Sequence, residues 1–235
     1  MKNVTILALE NTLASTVTGP LDIFSQAGVL WNAISGSAPE PFFRVRIASL
    51  DGRPVRCHGG LVIEPHDALA DVGPTDLVVV SYEDLSALDA TSRRTTPWLR
   101  ERFAAGAWIA SICTGAFLLA ESGLLDDRRA TTHWGWAEAF RRRYPRVDLR
   151  LECLLTEDEG MFCSGGAHSY FDLCLYLIER IRGYEVAVQT AKSLLLDLGR
   201  GSQTDYAVFD FQKKHQDAAV LKAQEWIEKH HPDGG

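Results

Sequence analysis

Apolar residues in this chain follow two rhythms. Short runs, VTILAL (4–9), FRVRIASL (43–50), DLVVVS (76–81) and WIASI (108–112), alternate with longer stretches of helical pattern, GPLDIFSQAGVLWNAI (19–34), TTPWLRERFAAG (95–106) and TGAFLLAESGLL (114–125). The first rhythm predicts strands and the second predicts amphipathic helices. A run such as DLVVVS, apolar at successive positions, suits a strand covered on both faces of a parallel sheet. Strands and helices taking turns predict an α/β fold, a doubly wound, mostly parallel sheet flanked by helices. Asp-Gly and Gly-Gly turn pairs in DGRPVRCHGGLVIEP (51–65) predict an antiparallel hairpin as an excursion.

The second half changes character. VDLRLECLLTEDEGMFCSGG (147–166) reads as two strands around the acidic turn EDEG, and YFDLCLYLIERIRG (170–183) and EVAVQTAKSLLLDLG (185–199) as helices, the first stopped by Gly183. From residue 200 the chain turns polar, then ends on an amphipathic segment, AAVLKAQEWIEKHH (218–231), whose Val220, Leu221, Ala223, Trp226 and Ile227 share one stripe. A lone helix after a linker cannot bury such a stripe. It docks back, dimerises or opens a further domain.

Bulk composition narrows the function classes. The 235 residues, 46% hydrophobic and 23% charged, suffice for one large core and a modest appendage. A net charge of −7 lacks the basic surplus that drives non-specific DNA affinity. The densest basic run, RRRYPR (141–146), reads as a solvated helix end whose cations suit the helix dipole. Five cysteines, at 57, 113, 153, 163 and 174, show neither a C-x-x-C pair nor zinc spacing, so no metal, no cofactor and no disulfide framework is indicated, and reduced thiols point to the cytoplasm. The start MKNVTILALE reads as a first strand, not a signal peptide, and no apolar run is long enough for a membrane span.

The chemistry concentrates at ASICTGAFLL. The strand ends at Ile112 and a helix opens at Thr114, which puts Cys113 on the turn at the carboxyl edge of the sheet, where ligands gather in open α/β folds. Small residues Ser111 and Gly115 permit a tight elbow, and nearby helix-start amides are expected to lower the thiol pKa and to offer oxyanion donors. Further on, RATTHWGW delivers His133 before another helix, the generic partner for a cysteine. On this reading Cys113 is the most reactive of the five thiols.

The segment SICTGAFLLAESGLLDDRRATTHW resembles the cysteine elbow and histidine of the PfpI/ThiJ branch of the class I glutamine amidotransferase-like superfamily, a flavodoxin-like fold. TGPLDIFSQAG, CSGGAHSYFDLCLYLIER and GSQTDYAVF extend the resemblance over roughly residues 3 to 212, toward the AraC-type transcriptional regulators that carry such a domain at their amino terminus. QDAAVLKAQEWIEKHH is similar to the opening helix of the AraC-type DNA-binding domain. The resemblance therefore implies a ligand-sensing domain over residues 1–212, and a linker with the first helix of a truncated DNA-binding domain over 213–235.

It also implies the site. Cys113 and His133 are the catalytic pair, with a vestigial or sensing role open to them. Family members place an acid on the first helix turn, where this chain has Ser15 and Thr16, with Asp22 further along. Where the family commonly has a Pro-Gly turn that helps form the oxyanion hole, the chain has Ser81, Tyr82 and Glu83, a replacement that weakens an inherited catalytic claim. Ser15, Thr16, Asp22, Tyr82, Thr114 and His168 are the expected ligand-binding residues.

The implied function is effector sensing, with a small-molecule effector at the Cys113 crevice and DNA bound through a carboxyl-terminal helix-turn-helix domain missing from this chain, in a cytoplasmic homodimer with no membrane contact. The alternatives are a Cys-dependent hydrolase or hydratase of the isonitrile-hydratase type, and a redox sensor acting through Cys113 oxidation. By itself this chain is expected to show no sequence-specific DNA binding.

Overall fold

The computed structural model describes residues 1–199, 202–204 and 217–230. In chain order the strands are β1 (Lys2–Leu7), β2 (Phe43–Ser49), β3 (Val55–Arg56), β4 (Val62–Ile63), β5 (Asp67–Ala68), β6 (Leu77–Ser81), β7 (Trp108–Ile112), β8 (Arg129–Ala130), β9 (Asp148–Leu149), β10 (Leu155–Asp158) and β11 (Met161–Ser164). The α-helices are α1 (Ser15–Gln26), α2 (Leu30–Ile34), α3 (Leu88–Ala104), α4 (Gly115–Glu121), α5 (Ala137–Arg143), α6 (Tyr170–Arg182), α7 (Tyr184–Leu194) and α8 (Ala218–His230). Seven strands form one sheet in the order β10-β11-β7-β6-β1-β2-β5, parallel throughout except where β10 meets β11. The hairpin expected over 51–65 is the antiparallel pair β3–β4.

Side-chain alternation along the central strands divides the interior in two. Val4, Ile6, Val79, Ala110 and Ile112 pack into the core shared with Val17, Phe24 and Leu173. Their neighbours Leu7, Val78, Val80 and Ile109 face the core of Leu99, Phe117, Leu118 and Phe140. A strand that supplies both cores has no polar face to offer, which is why β6 is buried at every position. β1, β6 and β7 thus carry the turns that follow them to one protected edge.

Two helices differ from expectation for local reasons. The helix predicted over 19–34 is interrupted at Gly28, whose φ of +79 and close approach to the Glu40 carbonyl leave no room for a Cβ. α3 begins at Leu88, well before the expected 95, so Pro97 lies inside the helix and not in its first turn.

The chain divides into two units, Met1–Asp205 and Tyr206–Gly235, the second containing α8. Within α8, Val220 and Trp226 are exposed. Of the stripe read from the sequence, the side chain of Ile227 lies outside the described residues. The basic run at 141–146 ends α5, with Arg141 paired to Glu138, Arg143 to Glu121 and Asp89, and Arg146 to Asp126 and Asp127.

Candidate functional site

Cys113 follows the last residue of β7 with φ of +56, a left-handed backbone seldom adopted by residues other than glycine. Three hydrogen bonds hold it there. The Cys113 amide donates to the Ser164 carbonyl at 2.9 Å, Thr132 Oγ1 donates to the Cys113 carbonyl at 3.0 Å, and the Thr114 hydroxyl donates to the Tyr82 carbonyl. Gly115 completes the elbow, since a Cβ there would lie 2.5 Å from the Val80 carbonyl oxygen.

An acid does reach this elbow, from the turn after β6. Glu83 Oε2 accepts from Thr12 Oγ1 at 2.6 Å and from the Leu13 amide at 3.2 Å, and Oε1 accepts from Ser81 Oγ at 2.8 Å. Burial raises the Glu83 pKa, against the opposing pull of these donors and of His58. Its charge is felt at Cys113, where it adds to the rise caused by burial, while the Thr114 amide and hydroxyl oppose that rise. The net result is a thiol only 7% exposed and pushed up to about 11. Desolvation therefore outweighs the helix-start potential expected to activate Cys113. Cys153 is the least buried of the five free cysteines.

His133 does not reverse this balance. Its Nδ1 accepts from the Gly135 amide at 3.1 Å, and its ring stacks on Trp134 with centroids 5.3 Å apart. Burial lowers its pKa. A thiolate–imidazolium pair needs the cysteine low and the histidine high. Here both shifts run the other way, and both groups are held neutral near pH 7.

The remaining expected residues separate into groups. Thr114 and Thr16 are buried parts of the frame, Thr16 donating to the Leu13 carbonyl at 2.7 Å and lying 3.4 Å from Thr12 Oγ1. Ser15 is half-buried at the first position of α1. His168 is exposed in the turn after β11, with its ring centroid 6.2 Å from that of Tyr170. Asp22 is exposed beside Tyr170, whose pKa its charge helps raise, and the acid whose charge reaches the elbow is Glu83, from the turn after β6. Tyr82 is 1% exposed, packs in the Leu99 and Phe117 core, and donates to Thr91 Oγ1 at 3.2 Å. Ser81 and Glu83, hydrogen-bonded to each other, lie on the opposite side of the chain from Tyr82 because side chains leaving a strand alternate.

Beside this acid lies a pocket of about 460 Å³ lined by Asn11, Leu13, His58, Glu83 and Asp84. The loop after β1 supplies Asn11 and Leu13, and Asn11 Nδ2 donates to Asp84 at 3.0 Å. The tip of the β3–β4 hairpin supplies His58, whose amide donates to the Thr12 carbonyl at 2.8 Å. A larger groove, about 710 Å³, runs past Arg129, Arg150, Cys153, Glu157, Asp158 and Tyr176, and Cys113 lines neither cavity; the smaller one approaches it through Glu83, whose charge is felt at the thiol. The recognisable signal for Glu83 was an acid at the carboxyl end of a strand buried on both faces, the edge where an α/β sheet collects ligands.

Residues 2–180 match the model of the DJ-1/PfpI family. The HTH-type transcriptional regulator CdhR of Pseudomonas aeruginosa is 35% identical over 156 residues, which are 66% of this chain and 45% of CdhR. Isonitrile hydratase of Pseudomonas putida is 24% identical over 84% of this chain and 82% of its own length. Among solved structures, an AraC family transcriptional regulator from Pseudomonas putida superposes with a TM-score of 0.67 at 22% identity, over 83% of this chain and all of that one. The chain thus spans about half the length of the curated regulator it matches. With a buried cysteine elbow at the carboxyl edge of a mainly parallel sheet, it belongs to the DJ-1/PfpI family.

Proposed function

We propose that this chain carries the effector-sensing domain of an AraC-type transcriptional regulator, binding a small polar metabolite at the crevice beside Cys113. The observation that carries this reading is the opposed tuning of the elbow. Burial holds the Cys113 thiol and the His133 ring neutral, which suits recognition and not nucleophilic attack. Glu83 is the acid whose charge is felt at the thiol, and burial disfavours its ionisation. A buried carboxylate kept against its preference is a common mark of a binding site. With Asp84 and Asn11 beside it, the pocket favours a ligand that donates hydrogen bonds or carries positive charge, such as a nitrogenous metabolite.

Binding that differs between two arrangements of the loops after β1 and β6 is the mechanism this reading requires. The output is DNA binding by a carboxyl-terminal helix-turn-helix domain that α8 would open, in a homodimer. The similarity to isonitrile hydratase keeps a hydratase as the second reading, supported by the Thr114 amide at the sulfur.

Thermal denaturation of this chain against a panel of small amines, amino acids and their N-methyl derivatives tests the first reading. A ligand at a hundred times its Kd adds about 2.7 kcal/mol, and at about 2–4 °C per kcal/mol for a unit of this size the midpoint rises by roughly 5–10 °C. The rise should disappear in Glu83→Gln and survive in Tyr82→Phe. Turnover of isonitriles or amides abolished by Cys113→Ala would replace this reading with the enzymatic one.

A further inference from the structure

Residues 202–204 return to the elbow from the end of the compact unit. Ser202 forms an isolated antiparallel bridge with Cys153. Gln203 is 3% exposed, deep burial for a side chain with two polar atoms. Its amide nitrogen donates to Thr131 Oγ1 at 3.0 Å, to the Thr132 carbonyl at 3.1 Å and to the Cys153 carbonyl at 3.4 Å. The amide cannot be turned over, because the two carbonyls can only accept and the Thr131 hydroxyl already donates to Cys153. The carbonyl oxygen of Gln203 points at Gly165, where a Cβ would come within 2.5 Å of it. That oxygen is buried without a hydrogen-bond partner.

One residue that receives Gln203 also braces the elbow, and another adjoins a residue that does. Thr132, whose carbonyl accepts from Gln203, donates its own hydroxyl to the Cys113 carbonyl at 3.0 Å. Ser164, which accepts the Cys113 amide at 2.9 Å, immediately precedes Gly165. Two short routes therefore join Gln203 to Cys113, one through Thr132 and one through Ser164 and Gly165. Just beyond Gln203 the chain leaves the compact unit, which closes at Asp205.

We propose that Gln203 is a latch that ties the Cys113 elbow to the stretch of chain leading out of the sensing unit, so that a shift at the crevice is delivered to whatever follows residue 205. This rests on the sensing reading of the crevice and adds its route of output. The uneven satisfaction of the side chain suits the role. Its nitrogen fixes a single docked position, while its unpartnered oxygen regains a partner in water on release, which keeps withdrawal accessible.

The test needs no effector, so its failure is distinct from a failure of the sensing reading, which the ligand panel decides. In the full chain, native iodoacetamide labelling is followed cysteine by cysteine by mass spectrometry, with amide exchange at residues 202–204 measured in parallel. Gln203→Leu keeps bulk but removes the hydrogen bonds, and should speed Cys113 labelling on the order of fivefold while Cys163 and Cys174 hold their rates. Alkylating Cys113 in a Cys153→Ser chain, where the more accessible thiol bridged to Ser202 is gone, should speed exchange at 202–204, as reciprocity between coupled sites requires. Thr132→Val removes one route, and in that background the effect of Gln203→Leu should shrink. Gln203→Ala repeats the measurement should the leucine prevent folding. A Cys113 rate unchanged within about twofold overturns the latch. So does an equal rise at every buried thiol, which marks general loosening, or a Gln203 effect undiminished by Thr132→Val.

Discussion

Raising pH should unmask Cys113 slowly and late. With its thiol pushed up to about 11, only about one molecule in a thousand carries the thiolate at pH 8, whereas an ordinary thiol of pKa near 8.5 is about a quarter ionised. That is a deficit of roughly 200-fold. A more basic thiolate is the better nucleophile, and a Brønsted slope of about 0.4–0.5 over that difference returns roughly tenfold. The net expectation is alkylation about 20-fold slower than for free cysteine, before the 7% exposure of the side chain slows it further. The assay is iodoacetamide labelling under native conditions from pH 7 to pH 10, with the Cys113 peptide quantified at each time point. The logarithm of its rate should climb in proportion to pH up to the alkaline end, where free cysteine has already levelled off, and Cys153 should be labelled first. A Cys113 rate that levels off below pH 9, or labelling of Cys113 ahead of Cys153, would refute the assignment of burial as the dominant influence on this thiol.

The other predictions probe the frame around it. Because the folded-state pKa of Glu83 is raised, the stability it contributes is present below its unfolded pKa and is lost as pH rises through the folded value; Glu83→Gln should therefore have a melting temperature at or above that of the unsubstituted protein at pH 7.5, an advantage that fades in acid, and a large loss of stability at pH 7.5 would contradict this. Gly115→Ala must push a methyl group toward the Val80 carbonyl and should cost about 1–3 kcal/mol in urea denaturation; a neutral effect would mean that β6 and α4 can part freely. Tyr82→Phe removes only the bond to Thr91 and should cost about 1 kcal/mol with no effect on ligand-induced stabilisation, so loss of that stabilisation would restore Tyr82 to the site.

The strands were the most legible part of the chain. WIASI is β7 to the residue, and DLVVVS differs from β6 only at its first position, because a strand feeding two cores must be apolar throughout. Cys113 was legible as an elbow for the same reason: a strand end and a helix start bracket it within two residues. The electrostatics were not. Thr114 and the α4 amides are visible in the sequence as activating groups, but the packing that desolvates the sulfur comes from distant segments. Glu83 was visible yet misjudged, since the family comparison directed attention to Ser15 and Thr16 on α1, whereas the acid arrives from a different strand and is held by Thr12 and Leu13. The burial of Tyr82 was not legible either, because one step along an extended chain decides which side of the strand a side chain enters.

The left-handed backbone at Cys113 separates two properties that are usually inherited together. Ser164, Thr132 and Thr114 grip the main chain and its neighbour, and none of these three bonds needs the sulfur to hold the turn in shape. Glycine would adopt this conformation without strain, while serine would keep a side chain there and lose the thiol. Shape and reactivity at residue 113 are thus independently mutable. A lineage could discard the sulfur and preserve the scaffold, so a comparison of Cys113→Gly with Cys113→Ser distinguishes a protein that uses its elbow as architecture from one that uses it as a reagent.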